Sequence, residues 1–276
     1  MLLSLKDEML RDVACVGEFP NLQHVDLSEN MLTDSDANSR CLAALSKLPV
    51  LLTLDVSYNQ LKEVLDYDVN VCSSANSWEE GDNAMGSLLS SANFSNNAIS
   101  RVRDLSDHQY LLHLDLSSNQ IAQITGLEGL KMLSTLNLSS NRIREIEGMT
   151  DLPIVELYMD DNELTSIANL ESLSRLEKLF MSGNKIKSLQ GLKECASLRE
   201  VDLGNNDISV IRLVKLKGRR EGERREREER GREKGNENEY PEWHNQAPRG
   251  PRSITSASQL AKTSGETRKI HLEQSS

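Results

Sequence analysis

A curved α/β repeat solenoid is the fold this 276-residue sequence predicts, with parallel strands on its concave face and short 3₁₀ turns on its convex face. Three observations carry that expectation. The pattern LxxLxLxxNxI stands at Leu111, Leu114, Leu116, Asn119 and Ile121, and returns 22 residues later at Leu133, Leu136, Leu138, Asn141 and Ile143. From Asn97 to Asn206 the pattern's asparagines are 22, 22, 21, 22 and 22 residues apart. The return half of each unit places apolar residues three apart, as at Ile124, Leu127 and Leu130, which suits a tight 3₁₀ turn better than a long helix.

Taken in order, the chain starts inside a unit, because one period back from Asn30 reaches Glu8 with Leu3, Leu5 and Leu10 at apolar positions. The asparagine column then reads Asn30, Asn59, Asn97, Asn119, Asn141, Asn162, Asn184 and Asn206. A buried amide has donors and an acceptor, so each asparagine can satisfy backbone groups where the chain turns off its strand. Asn59 and Asn97 are 38 residues apart, 16 more than the period, and the polar stretch near 71–86 reads as an inserted loop. Trp78 in that loop is either a partner anchor or an insertion tip tucked onto its own scaffold. Beyond Val214 the period calls for apolar residues near 217 and 220 and meets Lys217 and Arg220. Residues 1–217 are therefore expected to form about nine units, the first partial, and 218–276 a disordered charged and polar tail.

One unit cannot cover its own apolar face. Its neighbours must supply both the strand hydrogen bonds and the burial, so such units occur as arrays. Aromatic residues make up only 4% of the chain, which leaves the interior to leucine, isoleucine and valine.

Composition narrows the function. The chain carries 32 basic and 43 acidic residues, a net charge of −11. From Gly218 onward basic residues number 13 and acidic ones 11, which leaves 19 against 32 before it, a balance of −13. An acidic surface disfavours nucleic acid, whose phosphates need lysine and arginine, and favours a basic protein segment. No apolar run is long enough to span a membrane, and MLLSLKDEML is too short and too charged for a secretory leader. Cys15, Cys41, Cys72 and Cys195 form no CxxC pair, and Cys195 falls on a leucine position, where it reads as buried filler. These features lead to the expectation of a cytoplasmic monomer without membrane or cofactor. His24 and His113 occupy equivalent columns several strands apart, so no shared metal is expected, and no Ser/His/Asp or Cys/His set has supporting context.

Within each strand the residues flanking the inward leucine face the concave surface. One outward column reads Asp26, Asp55, Asn93, Asp115, Asn137, Tyr158, Phe180 and Asp202. Most of it is the default polar filler of the repeat. Tyr158 and Phe180 depart from it on adjacent strands, among Glu156, Asp160, Asp161, Glu200 and Asp202. Two readings stay open: an aromatic anchor for a basic, apolar-tipped partner segment, or two rings that merely stack across strands.

From Leu22 to Val214 the sequence resembles the 22-residue class of leucine-rich-repeat proteins, typified by the nuclear regulatory subunit of protein phosphatase-1. It is more closely similar to the repeat region of proteins that join leucine-rich repeats to a guanylate-kinase domain. The stretches that carry this are LLTLDVSYNQL at Leu51–Leu61, ANFSNNAI at Ala92–Ile99 and the shortened unit DLPIVELYMDDNEL at Asp151–Leu164. No GxxxxGK[ST] phosphate loop occurs, so the chain is expected to be non-enzymatic and truncated before a kinase domain. The resemblance implies a protein-interaction scaffold in a cytoskeletal or axonemal setting. Its alternatives are a phosphatase-1-type regulatory subunit and the repeat portion of a guanylate-kinase-like protein.

Overall fold

The computed structural model describes residues 1–34, 42–64, 88–209 and 269–271. Nine three-residue strands lie side by side in sequence order, every neighbouring pair parallel. They are β1 (Leu2–Ser4), β2 (His24–Asp26), β3 (Thr53–Asp55), β4 (Ser91–Asn93), β5 (His113–Asp115), β6 (Thr135–Asn137), β7 (Glu156–Tyr158), β8 (Lys178–Phe180) and β9 (Glu200–Asp202). The insertion expected near 71–86, with Trp78, lies outside the described residues. So does the tail after residue 209, apart from β10 (Lys269–His271), which pairs antiparallel with β9.

The central residue of each strand points inward, and register keeps these residues in one row: Leu3, Val25, Leu54, Ala92, Leu114, Leu136, Leu157, Leu179 and Val201 are successive Cα partners. All but Leu3 are buried in one continuous aliphatic core. Leu3, Leu5 and Leu10 of the first, partial unit pack against that core half-buried.

Six of the nine strands end in a side chain that holds the turn after it. Asp26, Asp55, Asn93, Asp115, Asn137 and Asp202 each accept, through Oδ1, the N–H two residues on, at 2.8 to 3.1 Å. A side chain that mimics a backbone turn in this way stabilises the bend, and β7 and β8, which end in Tyr158 and Phe180, keep the same length without it. A left-handed residue follows, as at Ser118 (φ 54°) and Ser140 (φ 56°), and then the asparagine.

Each asparagine ties two turns together. The Asn141 amide donates to Leu116 O at 2.9 Å, Leu138 O at 3.0 Å and Ser139 O at 3.2 Å, while its Oδ1 accepts from Ile121 N at 2.9 Å. The first two carbonyls belong to successive units, so the bonds run across the stack as well as within a turn. The same set recurs at the other seven, for example with Asn184 donating to Met159 O, Met181 O and Ser182 O. Six of the eight are buried, with Asn97 and Asn206 half-buried.

On the convex side the spacing of three has a direct hydrogen-bond meaning. The N–H of each apolar residue donates to the carbonyl of the one three before: Leu130 to Leu127 at 3.0 Å, then Leu133 to Leu130 at 3.3 Å. Among the described residues this becomes a five-residue 3₁₀ helix at Ala14–Glu18, Ala43–Lys47 and Gln190–Glu194 and stays a series of single turns elsewhere. Close stacking makes glycine obligatory at some positions, Gly126 among them. Gly126 has φ +76°, and a Cβ there would stand 2.1 Å from Arg103 O of the preceding unit. His108 fills a leucine position in this row and is buried. Cys195 is buried filler, as its position implies, and burial pushes its thiol up to about 11.

Replacing an amide that satisfies three carbonyls and one N–H strands buried polar groups. Asn141→Ala is expected to lower the unfolding free energy by about 3 kcal/mol. Gln123→Ala, at an exposed position, is expected to change it by less than about 0.5 kcal/mol. Chemical denaturation followed by circular dichroism measures both.

Candidate functional site

The aromatic departure is built by register. Tyr158 and Phe180 are Cα partners on β7 and β8, and their rings stack with centroids 4.8 Å apart and planes 5° from parallel. Both side chains are half-buried, so the stack forms a platform on the concave face. The cross-strand stacking anticipated from sequence is present. It leaves the face of Tyr158 opposite Phe180 uncovered by that partner.

The platform also breaks the turn rule. An aromatic ring cannot accept the N–H two residues on, so two successive units lose the side-chain turn found in their neighbours. Asp160 supplies a substitute: its Oδ1 accepts the Ser182 N–H at 2.7 Å and the Ser182 hydroxyl at 2.8 Å.

The carboxylates named from sequence divide by role. Glu156 belongs to the platform: its Oε2 accepts the Tyr158 hydroxyl at 3.0 Å and its Oε1 accepts Lys178 Nζ at 2.6 Å. Glu200 is the strand partner of Lys178 on the other side, so the column beside the rings reads Glu156, Lys178, Glu200. Asp160 is committed to Ser182. Asp161 occupies the left-handed turn position (φ 52°) and is exposed beyond the strand. Asp202 is buried and caps its own turn through Gly204 N at 2.9 Å. Lys178 was missing from the residues expected at the site. It stands two residues before Phe180 on the same strand, and strand periodicity puts both on one face.

Electrostatics follow from these contacts. The Lys178 hydrogen bond holds the Glu156 carboxyl below its usual range against the opposing effect of burial, with the Tyr158 hydroxyl adding to the lowering. The same bond raises Lys178. Burial, then the bond to Glu156, raises the Tyr158 phenol, which stays protonated and donating at neutral pH.

Towards the N-terminal strands the platform borders a shallow depression of ≈ 280 Å³, with Tyr158 at one end and Ser91, Asn93, His113, Asp115, Thr135 and Asn137 along its sides. At the far end of the face, His24 Nδ1 meets Thr53 Oγ1 at 2.9 Å. Asp26 is held below the usual carboxylate range: burial opposes this, but hydrogen bonds from Ser28 and Ser4 outweigh it. β3 and β4 separate His24 from His113. Among the described residues no group of three His, Cys, Asp or Glu side chains is placed to hold a metal, and no helix is long and apolar enough to cross a membrane.

The ion pair sets a pH window. Glu156 is depressed from 4.5, so its contribution is present above that value and lost as pH falls through the lower folded midpoint. Lys178 is raised from 10.5, so its contribution holds below that value and is lost as pH rises through the higher one. A carboxyl-carbon NMR titration is expected to place Glu156 below 4.5, and Lys178→Met to move that midpoint upward.

Comparison with known proteins supports the fold. A model of paired leucine-rich repeats matches residues 154–194, and a single-repeat model matches 107–123 and 194–210. No curated protein matches the chain by sequence. Among solved structures, internalin C2 of Listeria monocytogenes is 24% identical over 73% of this chain and 80% of its own, with a TM-score of 0.59. A leucine-rich-repeat protein of Leptospira interrogans is 20% identical over 76% of this chain and 56% of its own, with a TM-score of 0.60. The leucine-rich-repeat domain of APL1B is 19% identical over 74% of this chain and 64% of its own, with a TM-score of 0.53. At such identities the likeness is one of architecture. With the matched repeats and the asparagine-tied parallel strands, it shows that this chain carries leucine-rich repeats and folds as a leucine-rich-repeat solenoid.

Proposed function

We propose that the chain is a non-catalytic interaction scaffold that grips a protein partner through the Tyr158–Phe180 platform on its concave face. The observation that carries this is the exchange at positions 158 and 180. Two successive units give up a turn-ending side chain and place stacked, half-exposed rings there instead. A protein keeps a locally costly choice of this kind where function requires it. Aromatic rings are also effective anchors for a partner, since they offer large area at low entropic cost.

Charge gives the partner's character. Glu156 and Glu200 flank the rings with Lys178 between them, and Asp161 is exposed beyond. With three carboxylates against one ammonium, the surround favours a segment that is basic and presents an apolar tip to the rings.

The test is capture from a native cell extract by the full chain and by Tyr158→Ala/Phe180→Ala. The double variant is expected to keep its circular dichroism spectrum and to bind the captured partner at least about 30-fold more weakly, as loss of a binding hot spot implies. Capture at wild-type affinity removes the platform as the binding site.

A further inference from the structure

The depression beside the platform contains a carboxylate that, among the described residues, is met by neutral donors. Ser117 N–H reaches Asp115 Oδ1 at 2.8 Å, and Asn137 Nδ2 reaches Asp115 Oδ2 at 3.1 Å. Both donors are uncharged, and among the described residues no ion pair reaches Asp115. Among the described residues that line the depression there is no lysine or arginine, and His113, exposed on the same strand, is the titratable cation-former.

The end wall is Tyr158. Phe180 covers the ring face towards β8, so the opposite face turns towards β6 and closes the depression. Parallel strands are about 4.8 Å apart, which puts Asp115 on β5 about 10 Å from Tyr158, across Asn137. A guanidinium standing edge-on over Asn137 bridges that distance, with the N–H groups of one edge directed at the ring face and those of the opposite edge at the Asp115 carboxylate. A guanidinium suits this place. It is weakly hydrated and carries donors along opposite edges, so it can meet the ring and form charge-assisted hydrogen bonds at once. An ammonium is compact and too short to meet both.

We infer that the depression is an arginine pocket, taking the guanidinium of a partner protein between the side of the Tyr158 ring opposite Phe180 and the carboxylate of Asp115. This rests on the concave face being the partner surface, and it specifies which side chain enters beside the platform. Thr135 on β6 and His113 on β5 border this place, and the depression runs on past Asp115 to Ser91 and Asn93 on β4.

The experiment uses the isotope-labelled full chain and three capped tripeptides with a central arginine, lysine or citrulline, read at the Tyr158 ring and the Asp115 carboxylate. The arginine peptide is expected to shift both signals saturably. Lysine is expected to bind at least about threefold more weakly, and citrulline, which keeps the shape but not the charge, to leave both unshifted. Asp115→Asn should weaken the arginine peptide about tenfold. That substitution respects the fold, because asparagine already stands in the same column at Asn93 and Asn137. Citrulline binding equal to arginine, or unchanged binding by Asp115→Asn, overturns the pocket. Partner capture separates the two claims. Full capture by Asp115→Asn with none by Tyr158→Ala/Phe180→Ala overturns the pocket and leaves the platform, whereas full capture by the double variant overturns the platform and the pocket with it.

Discussion

The asparagine amide holds this molecule together at its least forgiving point, the bend where each strand leaves the sheet. Three carbonyls converge there with one N–H from the unit before, most of them away from water, and one side chain satisfies them. Leucine packing is non-directional and tolerates exchange, as Ala92, Phe94 and Met159 in leucine positions show. The amide bonds are directional and cross from unit to unit, so they set the register that keeps inward residues in one row. That register then fixes which outward side chains meet.

Because the register is strict, the concave face is a grid whose neighbours can be named. Its default filling serves the fold: aspartate or asparagine at the strand end closes the turn, and at 93 and 137 the asparagine also reaches back to the preceding aspartate, Asn93 to Asp55 at 3.0 Å and Asn137 to Asp115 at 3.1 Å. Residues that read as polar filler in the sequence thus hold the turns. Against that background the rings at 158 and 180 are exceptions to a structural rule, a stronger pointer to binding than exposure of an aromatic alone.

The repeat was legible in the sequence because its signal lies in buried positions, where period, apolar type and asparagine are all constrained. The stacking of Tyr158 on Phe180 was legible for the same reason, since equal offsets from successive asparagines place residues side by side. The surroundings of the pair were harder to read. Whether a carboxylate faces a partner or the backbone depends on hydrogen bonds that a charge letter does not reveal: Asp160 holds Ser182, Asp202 holds Gly204, and Lys178 takes Glu156. Buried His108 carried no warning either, because polarity scales argue against its position while repeat spacing argues for it. The pairing of Lys269–His271 with β9 had no periodic signal, being a single strand outside the array.

The central claim is that rings stand at 158 and 180 for binding and not to hold the solenoid together. The most direct measurement is the unfolding free energy of Tyr158→Asn/Phe180→Asn, which restores the turn-ending side chain used at Asn93 and Asn137. Losing the ring stack costs about 1 kcal/mol, and regaining two side-chain turns of about 0.5–1 kcal/mol each offsets it. The account predicts a stability within about 1 kcal/mol of wild type. A loss of several kcal/mol would contradict it and make the rings part of the core.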